Sequence, residues 1–375
     1  MRKLTKLFGA IGAGALLVTT LAGPAAADSG RVLPWFPDRS GPTVVTSGLN
    51  NPRQIALTAG DGLLVIAEAG KGGPDCQADP MDPTSEFCTG ATGSISSVFV
   101  PQFGSGRQAV DLVTGLASGA GPDGSFAVGS QGVSNRSFGD IKIVSDFEGN
   151  LLKARSFGSA VPQANIAAYE EANDPDGQGV DSNPYGVLAL RGRTLVADAA
   201  GNTVVSVTEG GTISTFAVLP NITDGLCAGV PNDNGMTGCD FVPTSLAEGP
   251  DGAIYVGGLG AETPGAGRVV KLDPTTGAVL ATWGDLFTVT GVAVGRDGSV
   301  YASELFGGDP EAPTPGNLVK IAADGTRTSK TVPFPAGVAV DKFNNVYVSA
   351  FSTSPDTGLG IPNTDSSGQI WRLRF

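Results

Sequence analysis

Residues 291–308 read GVAVGRDGSVYASELFGG. A short run of small and β-branched apolar residues meets an Arg-Asp-Gly corner, and a second run containing Val and Tyr returns from it. This is the pattern of a β-hairpin: β-branched and aromatic residues fit a pleated, half-buried surface, and Asp-Gly supplies the tight turn. The pattern recurs in SLAEGPDGAIYVGGLG from Ser245, in GVAVDKFNNVYVSAF from Gly337 and in NPRQIALTAGDGLLVIAEAGKGG from Asn51.

The copies continue alike. A Gly-rich insertion follows the second strand, then a third strand (GRVVKLD from Gly267, GNLVKIA from Gly316, GQIWRLRF from Gly368), a turn such as DPTTG or ADGT, and in most copies a fourth strand. Four antiparallel strands make one propeller blade. Leu246, Val292 and Val338 are spaced by 46 positions, close to the length of one such unit.

Earlier units begin near Asn51, span Phe126 to Phe157, and begin at Asn183, which brings the count to six. The second is the least defined, because FAVGSQGVSNRSFGDIKIV lacks a crisp hairpin. A seventh would have to lie in residues 158–182, where QANIAAYEEAN has the Ala and Glu content of a helix and ends in a DPDG turn.

The chain stops at Phe375, at the close of a third strand, while GPTVVTSGL from Gly41 is a strand without a blade of its own. The expected fold is all-β: a six-bladed β-propeller of four-stranded blades, with the N-terminal strand completing the last blade and leaving no open edge. One domain is expected over residues 28–375.

Residues 1–27 read as a secretory signal peptide. Arg2, Lys3 and Lys6 precede the apolar run Leu7 to Ala22, and Ala25-Ala26-Ala27 offers a cleavage site. No later apolar run is long enough to span a bilayer, so the product is expected to be secreted and extracellular. Four cysteines fall as two pairs, Cys76 with Cys88 and Cys227 with Cys239, each twelve positions apart. In an exported chain such pairs read as two local disulfides, and without a CxxC they do not suggest zinc.

Loss of the leader's three cations carries the net charge from −13 to about −16. Nucleic acid and anionic membranes are poor partners for that surface. The chain contains no histidine, which rules out a Ser-His-Asp hydrolase and every metal site that needs imidazole. Chemistry would have to rest on carboxylates, Tyr, Lys or a metal held by oxygen. No cofactor is expected, with calcium left open, and a monomer is expected.

Strand direction within a blade sends the ends of second strands, the starts of first strands, the long insertions and the blade connections to one face. The Asp-Gly corners occupy the other. Ligand contacts are expected on the loop-rich face, at the channel mouth, among Arg53, Asp181, Asn183 and Tyr185 before or at first strands and Glu68, Asp198 and Glu304 at the ends of second strands. For Glu68 and Glu304 the blander reading is a carboxylate that accepts loop N–H groups, and for Asp198 a turn-former. Arg53 is read equally as a partner of a channel carboxylate or of an anionic ligand. Asn135-Arg136-Ser137 and Asn221-Ile222-Thr223 match the short glycosylation pattern.

LNNPRQIAL (49–57), LVIAEAGKGG (64–73) with its Cys-containing insertion, GLASGAGPDGSFAVG (115–129), AAYEEANDPDGQGVDSNPYGVLAL (167–190) and LVADAAGN (195–202) carry a family resemblance over the mature chain. In these stretches it resembles the secreted ScyD/ScyE family within the NHL-like six-bladed propellers. The resemblance implies a secreted propeller and transfers no catalytic roles.

Two functions follow. The first is a noncatalytic extracellular propeller that binds a ligand or protein partner on its loop-rich face. The second is a calcium-dependent lactonase or gluconolactonase-like hydrolase with a central-channel site. The entries of blades four to six (Pro243-Thr244-Ser245, Thr290, Pro335) offer the second few ligands, and the fold itself confers no activity.

Overall fold

The computed structural model describes residues 41–375 except 59, 80–84, 101–106, 138, 146, 310–311, 354–362 and 364–365. The signal-peptide expectation lies outside the described residues.

The first strand, β1 (Thr43–Leu49), belongs to the last blade. Blade 1 is built from β2 (Pro52–Leu57), β3 (Leu63–Glu68), β5 (Glu86–Phe99) and β6 (Val110–Ala120), with a short β4 (Asp75–Ala78) added to the front of β5. Blade 2 is β7 (Ser130–Ser137), β8 (Asp140–Ser145), β9 (Asn150–Ala154) and β10 (Val161–Asn165). The one α-helix among the described residues, α1 (Ile166–Asn173), follows it.

Blade 3 is β11 (Pro184–Leu190), β12 (Arg193–Asp198), β13 (Thr203–Thr208) and β14 (Ile213–Val218). Blade 4 is β15 (Pro243–Glu248), β16 (Ile254–Gly258), β17 (Gly267–Leu272) and β18 (Val279–Leu286). Blade 5 is β19 (Val289–Val294), β20 (Val300–Asp309), β21 (Ala312–Ile321) and β22 (Arg327–Thr331), and blade 6 is β23 (Val338–Val340), β24 (Val346–Ala350), β25 (Gly368–Leu373) and β1. The expected six-bladed ring and its closure are both present. β1 runs antiparallel to β25, with Thr43 opposite Arg372 and Leu49 opposite Gly368.

Physical reasons for the elements are local. Middle strands are buried on both faces by the neighbouring blades, so they carry Val, Ile, Leu and Ala throughout: Leu64, Ile66, Val196 and Val348 are all fully enclosed. Corners close on their own aspartates. Asp251 Oδ1 accepts Ala253 N, Asp297 Oδ1 accepts Ser299 N, and Asp341 Oδ1 accepts Phe343 N and Asn345 N.

Blade 2 is a complete blade, contrary to the doubt raised by its sequence. β7 and β8 pair from Ser130–Ser145 to Ser137–Asp140 with shifts after Ser130 and Asn135. The hairpin is obscured in sequence because β7 reads SQGVSNRS, and Ser130, Gln131, Ser134 and Asn135 are buried all the same. Ser134 Oγ accepts Ala189 N of blade 3 at 3.0 Å, so polar side chains here serve the joint between blades. The segment expected to be helical divides in two. Gln163, Ala164 and Asn165 end β10, and Asn165 caps the helix by accepting Ala168 N at 2.8 Å.

Both expected disulfides are present. Cys76–Cys88 joins facing residues of β4 and β5, and Cys227–Cys239 closes the connection to blade 4. Disulfides suit an oxidising compartment. No helix among the described residues is long and apolar enough to cross a membrane.

Candidate functional site

Six inner strands surround the axis, each starting at the loop face and ending at the corner face. They approach one another closely where Gly186, Gly291 and Gly337 stand. A Cβ at Gly337 would lie 2.6 Å from Arg53 O and 2.6 Å from Gln54 Cα, and one at Gly291 would strike Ala336 O. Hydroxyls sew the same level: Thr244 Oγ1 donates to Val289 O at 2.7 Å, Thr290 Oγ1 to Pro335 O at 3.0 Å and Ser349 Oγ to Arg53 O at 2.7 Å. The polar residues at the entries of blades four and five therefore join each blade to the next.

Gln54 occupies the ring position that is Gly in blades 2, 3, 5 and 6. Its Nε2 crosses from blade 1 to donate to Thr244 O of blade 4, on the opposite side of the axis. Beyond this plug the channel widens into a cavity of about 410 Å³. Its wall is mixed: Ile55, Val133, Val187, Leu246, Val292 and Val338 contribute one aliphatic residue from each blade, and Thr58, Ser134, Asn135 and Ser245 are polar members of the lining. Asp61, Arg136 and Glu248 stand at its corner end. Ligand contacts were expected at the loop end, whereas the open cavity lies toward the corners.

Glu68, Asp198 and Glu304 are equivalent positions on alternate blades, each opposite the start of a first strand; Glu68 and Asp198 close their second strands, whereas β20 continues past Glu304 to Asp309. Each accepts a backbone N–H from the entry segment of its own blade: Glu68 Oε2 from Asn50 at 2.7 Å, Asp198 Oδ1 from Asn183 at 2.6 Å, and Glu304 Oε1 from Phe287 at 2.9 Å. Their other oxygens bind Ser96 Oγ, Ser182 Oγ and Asn317 Nδ2. Burial raises all three above the ordinary carboxylate range and these hydrogen bonds pull them back, leaving Asp198 at about 6.

The glycines behind Glu68 have a separate cause. Gly70 and Gly72 have φ of 88° and 69°, and a Cβ on Gly70 would lie 2.7 Å from Gly93 N, so the strand end can lie flat on β5.

Arg53 is 2% exposed, and its guanidinium donates to Ser352 O and Ala127 O, carbonyls on loops to either side of its strand. Tyr185, also buried, packs with Ala199, Val242 and Leu259. Asn183 meets Asp198 through its backbone, while its own buried Oδ1 has no hydrogen-bond partner. Asn135 of the first glycosylation pattern is 8% exposed on an inner strand. Of the seven candidate positions, Asn183 and Asp198 are in direct contact, Tyr185 neighbours them in blade 3, Asp181 lies in the connection that leads into that blade, its N–H donating to Gly179 O at 2.9 Å, and Arg53, Glu68 and Glu304 lie on blades 1 and 5.

The group of three carboxylates that does converge, among the described residues, is Glu170, Asp174 and Asp176, whose oxygens lie within 4.8 Å of one another. Sequence reasoning assigned these residues to a helix and its turn. The signal that could have found them is the density of acids in EEANDPDG at a helix end. Glu170 is 1% exposed, and burial, then Asp198, Asp176, Asp174 and Asp181, push it up to about 8. In the connection between β16 and β17, Glu262 is pushed up to about 7 by burial, with an Oε1 that has no hydrogen-bond partner.

No protein-family model and no curated protein matches the chain. Solved structures do. A protein of unknown function from Bacteroides thetaiotaomicron aligns over 88% of this chain and 75% of its own, at 9% identity and TM-score 0.50. A streptogramin B lyase structure aligns over 89% and 97%, at 15% identity and TM-score 0.49. Regucalcin from Agrobacterium tumefaciens, described as a calcium-binding protein, aligns over 89% and 97%, at 13% identity and TM-score 0.48. At such identities the likeness is one of fold.

Proposed function

We propose that the chain is a secreted, noncatalytic propeller that binds an extracellular protein or ligand through its loop-rich face, in keeping with its resemblance to the ScyD/ScyE family. The observation that carries this reading is the loop stapled by Cys227–Cys239. Leu226 beside it is 68% exposed, Val230 within it 40% and Met236 37%. The loop under them is fixed: Cys227 and Cys239 are buried, and Asn232 Nδ2 donates to Gly238 O and to Asp240 Oδ1. Large apolar side chains on a rigid loop offer contact area with little ordering entropy lost on binding.

The internal use of Arg53, Glu68, Asp198 and Glu304 supports the same reading. Groups that hold backbone in place make the face a firm platform. Two stranded extensions rise from it, the β4–β5–β6 end of blade 1 beyond Ser94 and the β20–β21 hairpin of blade 5 beyond Glu304.

A lactonase reading has the 410 Å³ cavity in its favour. Its difficulty is that the charged groups of the lining, Asp61, Arg136 and Glu248, stand only at the corner end. Glucono-δ-lactone hydrolysis with and without calcium separates the two: the binding reading expects no turnover above background, and turnover abolished by Glu248→Gln would establish the hydrolase. A photo-reactive residue at position 226 should yield a crosslinked adduct in the secreting cell, and its absence there would remove the main support for the binding reading.

A further inference from the structure

We propose that Glu170, Asp174 and Asp176 form a calcium-binding site at the C-terminal end of α1. Two observations meet there. The three carboxylates present oxygens within 4.8 Å of one another, the spread of ligands around one ion at about 2.4 Å per Ca–O bond. Independently, Glu170 is 1% exposed and its Oε1 has no hydrogen-bond partner. A buried carboxylate without donors is costly unless a cation compensates it.

The surroundings sharpen the cost. A helix C-terminus carries partial negative charge and favours cations, yet α1 has no basic residue in its last turn and Asp174 is its C-cap. The ion pairs formed by the described residues involve other acids: Asp140, Glu209, Asp224, Asp251 and Asp297. Asp176 accepts Gln178 N and Nε2 and Asn202 Nδ2, and Asp174 Oδ1 accepts Gly179 N, so the loop already holds both aspartates in place. Carboxylates without imidazole or thiolate select a hard cation, and an irregular set drawn from helix, cap and turn suits calcium better than magnesium's strict octahedron.

The site would also join blades. Asn202, which holds Asp176, accepts Val242 N at the entry of blade 4, and Gly201 lies against the Glu170 carboxylate, where a Cβ would come within 2.9 Å of Oε2. Bound calcium would thus couple the 174–183 connection to blade 3 and, through Asn202, to blade 4. This is independent of the binding function and lies outside the channel.

The test uses the mature chain stripped by chelator and titrated with calcium chloride, read by calorimetry and thermal unfolding. Calcium should bind with a dissociation constant of about 0.1–1 mM, as in extracellular modules, and raise the melting temperature with concentration. Magnesium should give a smaller rise. Glu170→Gln and the double variant Asp174→Asn/Asp176→Asn should each weaken binding about tenfold or more, while the rim variant Glu248→Gln keeps the full response. Should Glu170→Gln fail to fold, the double variant, altered only in half-buried loop positions, decides the matter. No calcium response in the stripped wild type, or an undiminished one in the double variant, would overturn the site.

Discussion

Asn183 N donates to Asp198 Oδ1 across 2.6 Å, tying the entry of one blade's inner strand to the end of its second strand. Asn50 and Glu68 repeat the link in blade 1, and Phe287 and Glu304 in blade 5. These carboxylates thus fix where three blades begin. Asp198→Ala would orphan buried N–H groups around a side chain with no solvent access, so we expect a loss of about 2–3 kcal/mol of stability, measurable by urea unfolding at pH 7. A loss below about 0.5 kcal/mol, the range of ordinary surface substitutions, would mean that the link does not hold the entry.

Glu262 sets a pH dependence. Burial raises it from 4.5 to about 7 in the folded chain, so the folded state retains a proton that the unfolded state has released. Its contribution is fully present below about pH 4.5 and is lost as pH rises through 7. Glu170 and Asp198 shift in the same direction. Glu262→Gln should therefore reduce, without abolishing, the fall in denaturation midpoint between pH 5 and pH 8. An unchanged slope would show that Glu262 is hydrated in solution.

Ring closure makes β1 indispensable. Val45 is 3% exposed and packs with Ile55, Ile66 and Tyr347, and β1 covers the free edge of β25. Removal of residues 28–48 should cause aggregation or a broad, early melt, and Val45→Asp should destabilise severely by burying an unpaired charge. A melting curve like that of the intact chain would mean that blade 6 stands without β1.

The hairpin repeat was legible because its signals are local: Asp-Gly corners, Val and Tyr in strands, a 46-residue period. Blade 2 was obscure because Gln131, Ser134 and Asn135 look like surface residues in sequence and become buried only when neighbouring blades close around them. Glu68 and Asp198 were found at the right strand ends, since strand direction follows from the blade, whereas Glu304, expected at an end, lies inside a strand that continues to Asp309; the partners Asn50 and Phe287 depend on how each entry loop folds back. Glu170 was missed for a different reason. Nothing in an Ala- and Glu-rich helix marks which Glu faces inward, and burial by Gly201 arises only in the tertiary fold.

The most direct measurement of the binding account is site-specific photo-crosslinking in the secreting cell, with the reactive residue at Leu226 or Met236 on the loop face and, for comparison, at Phe343, 55% exposed at a corner. The account predicts a discrete adduct from positions 226 and 236 and none from 343. An adduct from 343 alone would place the binding surface at the corner end of the channel and contradict it.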